Sequence, residues 1–317
     1  MKDHISVIGG MNIDIKGIAD SGSAESDSHP GTIHLSPGGV GRNIAENLSM
    51  LGMNVKLFGC VGDDDFGKII LSKTNSAGVN TENVIITSNA STSVYLSVSN
   101  KSKNFHYAVN DTQRTSDLVT AEYIRSNSLM LKESSMIVLD TNLNADALNE
   151  AVSLANENGI PVFIDVVSAE KSDRVNELQG RVDFLSTNRL EFRRLFGDDF
   201  DAQEISELAE KDNCKKYKFI ILKKDKDGAD VLDIDAGRKY HLKPIFTDAV
   251  ETNGAGDAFN AGFIYSILND EQAEDRIDTA GKFGICASWF ALRTYDSVSA
   301  NLTSEKLLKL YEQYELQ

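Results

Sequence analysis

From residue 117 onward, short apolar runs alternate with helical segments, and this pattern constrains the fold more than any other feature. The runs 136–139, 161–164, 184–186 and 219–222 have the length of strands, and 147–158 and 204–211 among the segments between them read as helices. Strand–helix alternation implies βαβ units and a mostly parallel sheet covered by helices on both faces, a doubly wound α/β fold. Residues 4–8 and 55–61 read as further buried strands, and the chain from Ala258 on is mostly helical. Two β-rich pieces, 14–37 and 90–113, interrupt the pattern. They include the alternating runs 32–35, 92–98 and 105–109, the last two forming a hairpin around the polar link 100–104. The expected organisation is a large α/β domain from 1–13, 38–89 and 114–317, with one small sheet from the two insertions. Residues 20–28 are expected to be weakly ordered.

Two glycine-rich turns lead into helices. In 251–259 (ETNGAGDAF), Gly254, Ala255 and Gly256 leave backbone N–H groups free to face an anion, and a helix N-terminus adds a favourable dipole. Asp257 at that helix start can take a proton from a hydroxyl while the amides hold developing phosphoryl charge. A turn with an aspartate cap is the competing reading. In 38–48 (GGVGRNIAENL), Gly38, Gly39 and Gly41 allow a polyhydroxylated ligand to approach the backbone, and Asn43 can both donate and accept hydrogen bonds. A loop that merely caps a helix competes there.

Composition narrows the partners. A formal charge of −16 argues against a nucleic-acid or anionic-membrane surface, so any bound phosphates need local amides, magnesium and a few cations. The acidic run 270–275 reads as solvated surface. No apolar run reaches the ~20 residues that span a bilayer, and the N-terminus enters a strand without signal-peptide architecture. Cys60, Cys214 and Cys286 make no CxxC pair. A cytoplasmic protein is expected. The five histidines have no metal-cage spacing. No GxGxxG follows the first strand. The string 62–69 misses the P-loop pattern because it lacks the magnesium-binding hydroxyl and carries three aspartates.

Together the two glycine motifs resemble the paired signatures of the ribokinase-like (PfkB) carbohydrate and nucleoside kinases, and three further motifs follow in that family's order. Asn12 and Asp14 match its sugar-binding residues, and 61–67 (VGDDDFG) its VGxDxxG turn. Asn188 and Glu191 match its NxxE motif. The resemblance implies ATP-dependent phosphorylation of a hydroxymethyl group, with Asp257 as base and Gly254, Ala255 and Gly256 as anion hole. Asn12, Asp14, Gly38, Gly39, Gly41, Asn43 and Asn142 would hold the acceptor. Asn188, Lys223, Lys224 and Gly228 would face ATP, and Glu191 would orient magnesium through water. The small sheet would be a lid that pairs with its twin in a homodimer. Two departures stand out. Asp225 occupies a glycine position of the nucleotide loop, where it could weaken contact with ATP. Glu251 replaces an aspartate linked to a monovalent-cation site, which leaves potassium activation open.

Within the family, 38–52, with Arg42 before Asn43, looks most like the pseudouridine kinases, as do 92–97 and 109–111. That similarity implies a nucleoside acceptor, with Ser93, Asn110 and Asp111 as candidate base contacts. Ribokinase- and ketohexose-type acceptors are the alternative, and a catalytically weak sugar-binding regulator is a third reading.

Overall fold

A computed structural model describes residues 2–20, 28–101, 106–197, 205–250, 252–269 and 275–316. The stretch 20–28, the link 100–104, the start of the helix expected from 204, Glu251 and the run 270–275 therefore lie wholly or partly outside the described residues. The strands in chain order begin with β1 His4–Ile8, β2 Asn12–Ala19, β3 Gly31–Gly38, β4 Val55–Phe58, β5 Cys60–Gly62, β6 Ile85–Thr87 and β7 Val94–Asn100. They continue with β8 His106–Asp111, β9 Ser134–Asp140, β10 Val162–Asp165, β11 Val182–Asn188, β12 Tyr217–Lys223, β13 Ala229–Asp233 and β14 Arg238–Leu242.

Eight strands form the main sheet in the order β14-β13-β12-β11-β10-β9-β1-β4. The six from β12 to β4 are parallel, while β13 and β14 append as antiparallel hairpins. Alternation along these strands feeds two cores, one on each face. Ile137, Leu139, Ile164, Leu185 and Ile220 pack on one side with helix Ala145–Glu157. Met136, Val138, Phe163, Phe184 and Phe219 pack on the other with helices Val40–Met50 and Ala255–Asn269. The doubly wound α/β expectation holds.

Residues 55–61 do not form one strand. The chain breaks at Gly59, where a Cβ would lie 2.8 Å from Met11 Sδ and 2.9 Å from the Gly9 carbonyl. Past that crowded point β5 leaves the main sheet and pairs with β6.

Strands β3-β2-β7-β8 form a separate four-stranded sheet, bringing the two β-rich insertions together. Its entry is pinned by Asp64, whose carboxylate caps helix Asp65–Ser76 through Gly67 N (2.9 Å) and accepts from Thr92 N (2.7 Å) and Thr92 Oγ1 (2.6 Å). The aspartates of 63–65 thus include one that anchors a strand rather than facing phosphate.

Candidate active site

β1 pairs with β4 on one side and β9 on the other, so strand order reverses here, and open α/β sheets bind ligands beyond the carboxyl ends at such a point. Asp140, Asp165, Asn188 and Lys223 are the last residues of β9, β10, β11 and β12. The last three border a cleft of about 1080 Å³ that runs beneath the small sheet, with Asn12, Asp14, Tyr95 and Asn110 at one end and 224–229 at the other.

At the small-sheet end, the two-residue periodicity of β2 puts Asn12 and Asp14 on one side, and Asn12 Nδ2 donates to Asp14 Oδ1 at 2.7 Å. Ser297 Oγ donates to Asp14 Oδ2 at 3.1 Å. Burial pushes the Asp14 carboxyl up, although these two hydrogen bonds oppose the shift. Gly38 lets this carboxylate approach, since a Cβ there would lie 2.5 Å from it. Gly39, at φ 99, packs against the Gly10 carbonyl and starts helix Val40–Met50. Below them Asp140 Oδ2 accepts from Gly10 N (2.8 Å) and Gly41 N (2.7 Å), and its Oδ1 from Asn142 N (2.8 Å). One buried carboxylate therefore fixes three turns. Asn142 lines the cleft and accepts from Lys171 Nζ at 2.6 Å.

The two glycine turns meet at the centre. Asn43 Nδ2 donates to Asp257 Oδ2 at 2.7 Å. Asp257 is 9 % exposed, and burial, then the Asp165 charge, pushes its carboxyl up to about 7 against the Asn43 hydrogen bond and Lys223. Gly254 takes φ 81, and helix Ala255–Asn269 follows directly. The Lys223 ammonium lies beside that turn, 3.2 Å from where a Gly256 Cβ would stand. Lys223 donates to Asp165 Oδ2 at 2.9 Å. Burial disfavours its charge, but Asp165, Glu191 and Asp257 outweigh burial and raise the Lys223 value. Asp165 also accepts from Asn260 Nδ2 (2.7 Å) and from Val167 N (2.8 Å), where Val167 holds φ 62. A β-branched residue in the left-handed region is strained, and such strain gathers at working sites.

At the far end, Asn188 and Glu191 form a reciprocal capping box on helix Arg189–Phe196. Glu191 is pushed up by burial, then by Asp165. Lys224 donates to buried Asp230 at 2.8 Å, so its charge is already paired. Asp225 adopts φ 53, keeping the left-handed conformation that a glycine would supply; aspartate tolerates it better than most side chains. Gly228, at φ 80, permits close packing on the Leu242 carbonyl.

Of the expected site residues, most line or support this cleft. Ser93 and Asp111 do not line it: Ser93 Oγ pairs with Thr115 (2.6 Å), and exposed Asp111 accepts from Arg114 (3.0 Å). Both side chains find partners away from the cleft, and only Asn110 of the three candidate base contacts faces it. Sequence reading missed Asp140, Asp165, Lys171 and Ser297. The first two end apolar runs, which is the signal that could have found them. Lys171 and Ser297 sit in irregular segments with no local signature.

A family model described as pfkB family carbohydrate kinase matches residues 2–301. The chain is 36% identical over 262 residues to a pseudouridine kinase of Escherichia coli (strain K12), covering 82% of each. It is 31% identical over 313 residues to a protein of the same organism named "Uncharacterized sugar kinase YeiI", covering 98% of this chain and 83% of that one. Ribokinase of Arabidopsis thaliana, solved with ribose and ATP, superposes with TM-score 0.82 at 20% identity over 98% of this chain and 99% of that one. A putative ribokinase II from E. coli, solved with ATP and Mg2+, gives 0.80 at 16% identity over 98% and 99%. At these identities the structural likeness speaks for the fold.

Proposed function

The chain belongs to the pfkB family of carbohydrate kinases, and from that premise we propose that it transfers the γ-phosphoryl group of ATP to the 5′-hydroxyl of pseudouridine. The observation that carries the chemistry is the Asn43–Asp257 contact, which joins an acceptor turn to an anion-hole turn around a buried carboxylate. In the proposed reaction Asp257 takes the hydroxyl proton as the acceptor oxygen bonds to the γ-phosphorus. The bond from that phosphorus to the bridging oxygen breaks and ADP leaves. The amides of Gly254, Ala255 and Gly256 and the Lys223 ammonium balance the charge on the transferring group. Asn12, Asp14, Gly39, Asn43 and Asn142 would hold the acceptor, with Gly38 and Gly41 supporting them. Asn188, Lys223 and Gly228 would line the nucleotide path, with Lys224 as a wall.

No three carboxylate, histidine or cysteine groups gather among the described residues to hold a metal directly, so a divalent cation would be held here mainly through waters and the substrate phosphates. Asp165 and the buried Glu191 crowd one ammonium, an anionic excess that magnesium would offset, and magnesium keeps several waters while taking substrate phosphates. When bound it neutralises ATP charge; Glu191 and Asn188 would orient its waters.

The preference for pseudouridine is supported by the 36% identity to a kinase of that name. Its base would lie toward Asn110 and Lys171, polar groups at the small-sheet end of the cleft. A sugar acceptor is the second reading, favoured by the match to a sugar kinase across 98% of the chain. Mass and ³¹P spectra of the product from pseudouridine, ATP and magnesium test the assignment, which requires a 5′-monophosphate.

The small sheet, taken as a lid from 14–37 and 90–113, carries an apolar outer face. Leu35, Ile15, Leu96 and Val109 align in one row and Ile33, Gly17, Val98 and Tyr107 in the next. Ile33 and Tyr107 are 76% and 63% exposed. A second copy would cover such an exposed apolar face, which is the ground for proposing a homodimer joined lid to lid.

A further inference from the structure

The loop after helix Arg276–Ala291 touches the Asp14 carboxylate, the turn at Gly254 and strand β3. Ser297 is 2% exposed, and its hydroxyl donates to Asp14 at 3.1 Å. Its backbone lies against the anion-hole turn: a Cβ on Gly254 would overlap the Ser297 carbonyl oxygen and sit 2.7 Å from its carbonyl carbon. Two residues earlier Tyr295 stacks on His34 of β3, with ring centroids 5.8 Å apart and planes 4° from parallel.

We propose that Ser297 is a positioning residue that links the acceptor carboxylate to the anion-hole turn, so that the 252–257 turn settles into place as Asp14 takes the acceptor. The inference rests on the reading of Asp14 as an acceptor ligand. Gly254 cannot shift toward the loop without meeting the Ser297 backbone, and Ser297 cannot shift without lengthening its hydrogen bond to Asp14. Interiors are packed too tightly to absorb such a displacement smoothly, so a change at one end reaches the other. The Tyr295–His34 stack ties the same loop to the small sheet, which gives sheet position a route to the reaction centre.

Amide hydrogen exchange by mass spectrometry tests this on the full chain, comparing wild type with Ser297→Ala, without ligand and with saturating pseudouridine or ribose. Ser297→Ala is expected to speed exchange at 252–258 by roughly tenfold or more, the effect of losing a hydrogen bond to a charged group, while 145–157 exchanges as in wild type. Where an acceptor slows exchange at 252–258 in wild type, the variant is expected to lose that slowing. In assays the variant should lower kcat as well as raise acceptor KM. Asp14→Asn, which keeps the shape and removes the charge, is the second variant and should also loosen 252–258. Exchange at 252–258 matching wild type in both variants, or a change in acceptor KM alone, would overturn the proposal. If wild type phosphorylates neither acceptor while the ligand-free exchange responds as described, the acceptor assignment fails and the link stands.

Discussion

Asn43 Nδ2 lies 2.7 Å from Asp257 Oδ2, a hydrogen bond between residues 214 positions apart that joins the first glycine turn to the second. It gives Asp257 a fixed rotamer and a stabilised charge in a buried place. Asp257→Asn preserves the shape and can still accept from Asn43, but it cannot take a proton. Turnover is expected to fall by ~10²–10⁴-fold with ATP affinity unchanged. Retention of more than about a tenth of the activity, with chemistry limiting, would remove Asp257 from the base role.

The same carboxyl sets a pH dependence. Its folded value of about 7 lies above the ordinary 3.8 because of burial. Wild-type kcat/KM should therefore climb with pH up to about 7 and then level. Asn43→Ala, which removes a hydrogen bond favouring the charged form, should move that limb to higher pH. The stability sign follows from linkage. A carboxyl with a raised folded value contributes stability below its unfolded value and loses it as pH rises through the folded one. Asp257→Asn should accordingly gain more in Tm at pH ~8 than at pH ~5, as read by thermal scans at both.

Asp14→Ala should damage acceptor use and spare the nucleotide. Its carboxylate is held by Asn12 and Ser297 at the small-sheet end of the cleft, while Asn188 and Gly228 line the opposite end. Charge-assisted hydrogen bonds are worth ~1.5–3 kcal/mol each, so acceptor KM should rise by an order of magnitude or more. A loss of ATP affinity with acceptor KM unchanged would reverse the two ends.

Asp225→Gly tests the nucleotide loop. Glycine adopts φ 53 without strain, and the change removes a negative charge facing the cleft. KM for ATP should fall by a few fold and the melting temperature should hold or rise. Asp225→Ala removes the same charge but strains the turn, with an expected loss of ~1 kcal/mol. A higher KM for ATP in Asp225→Gly would show that the carboxylate assists binding.

Leu96→Lys places a charge in the apolar rows of the small sheet. Light scattering should give a dimer for wild type and a monomer for the variant. A fully active wild-type monomer at micromolar concentration would rule out the dimer as a functional requirement.

Much of this architecture was legible in the chain because its determinants are local. Short apolar runs report buried parallel strands, and glycines before a helix report the turns that open it, as at Gly39 and Gly254. Asn188 and Glu191, three apart, match a family motif and also have the spacing of a helix cap, and the cap is realised as a capping box. What stayed hidden is what only tertiary contact creates. The break at Gly59 depends on Met11 and Gly9. The likeness of 92–97 to the pseudouridine kinases puts Ser93 at the base, yet its hydroxyl pairs with Thr115. Asp140 gathers amides from positions 10, 41 and 142, and no sequence spacing announces such convergence.

The most direct test of the central claim is kcat/KM measured side by side for pseudouridine, uridine, ribose and fructose with ATP and magnesium. Asp14 and Asn43 would serve any ribose, so discrimination must come from the base. Pseudouridine carries an additional ring N–H, and a site that pairs it rejects analogues lacking it, by as much as ~10⁴–10⁵-fold. The account predicts that pseudouridine leads, with uridine well behind and the free sugars poorer still. Preference for ribose or fructose would contradict the nucleoside assignment, and equal use of uridine would contradict recognition through the base.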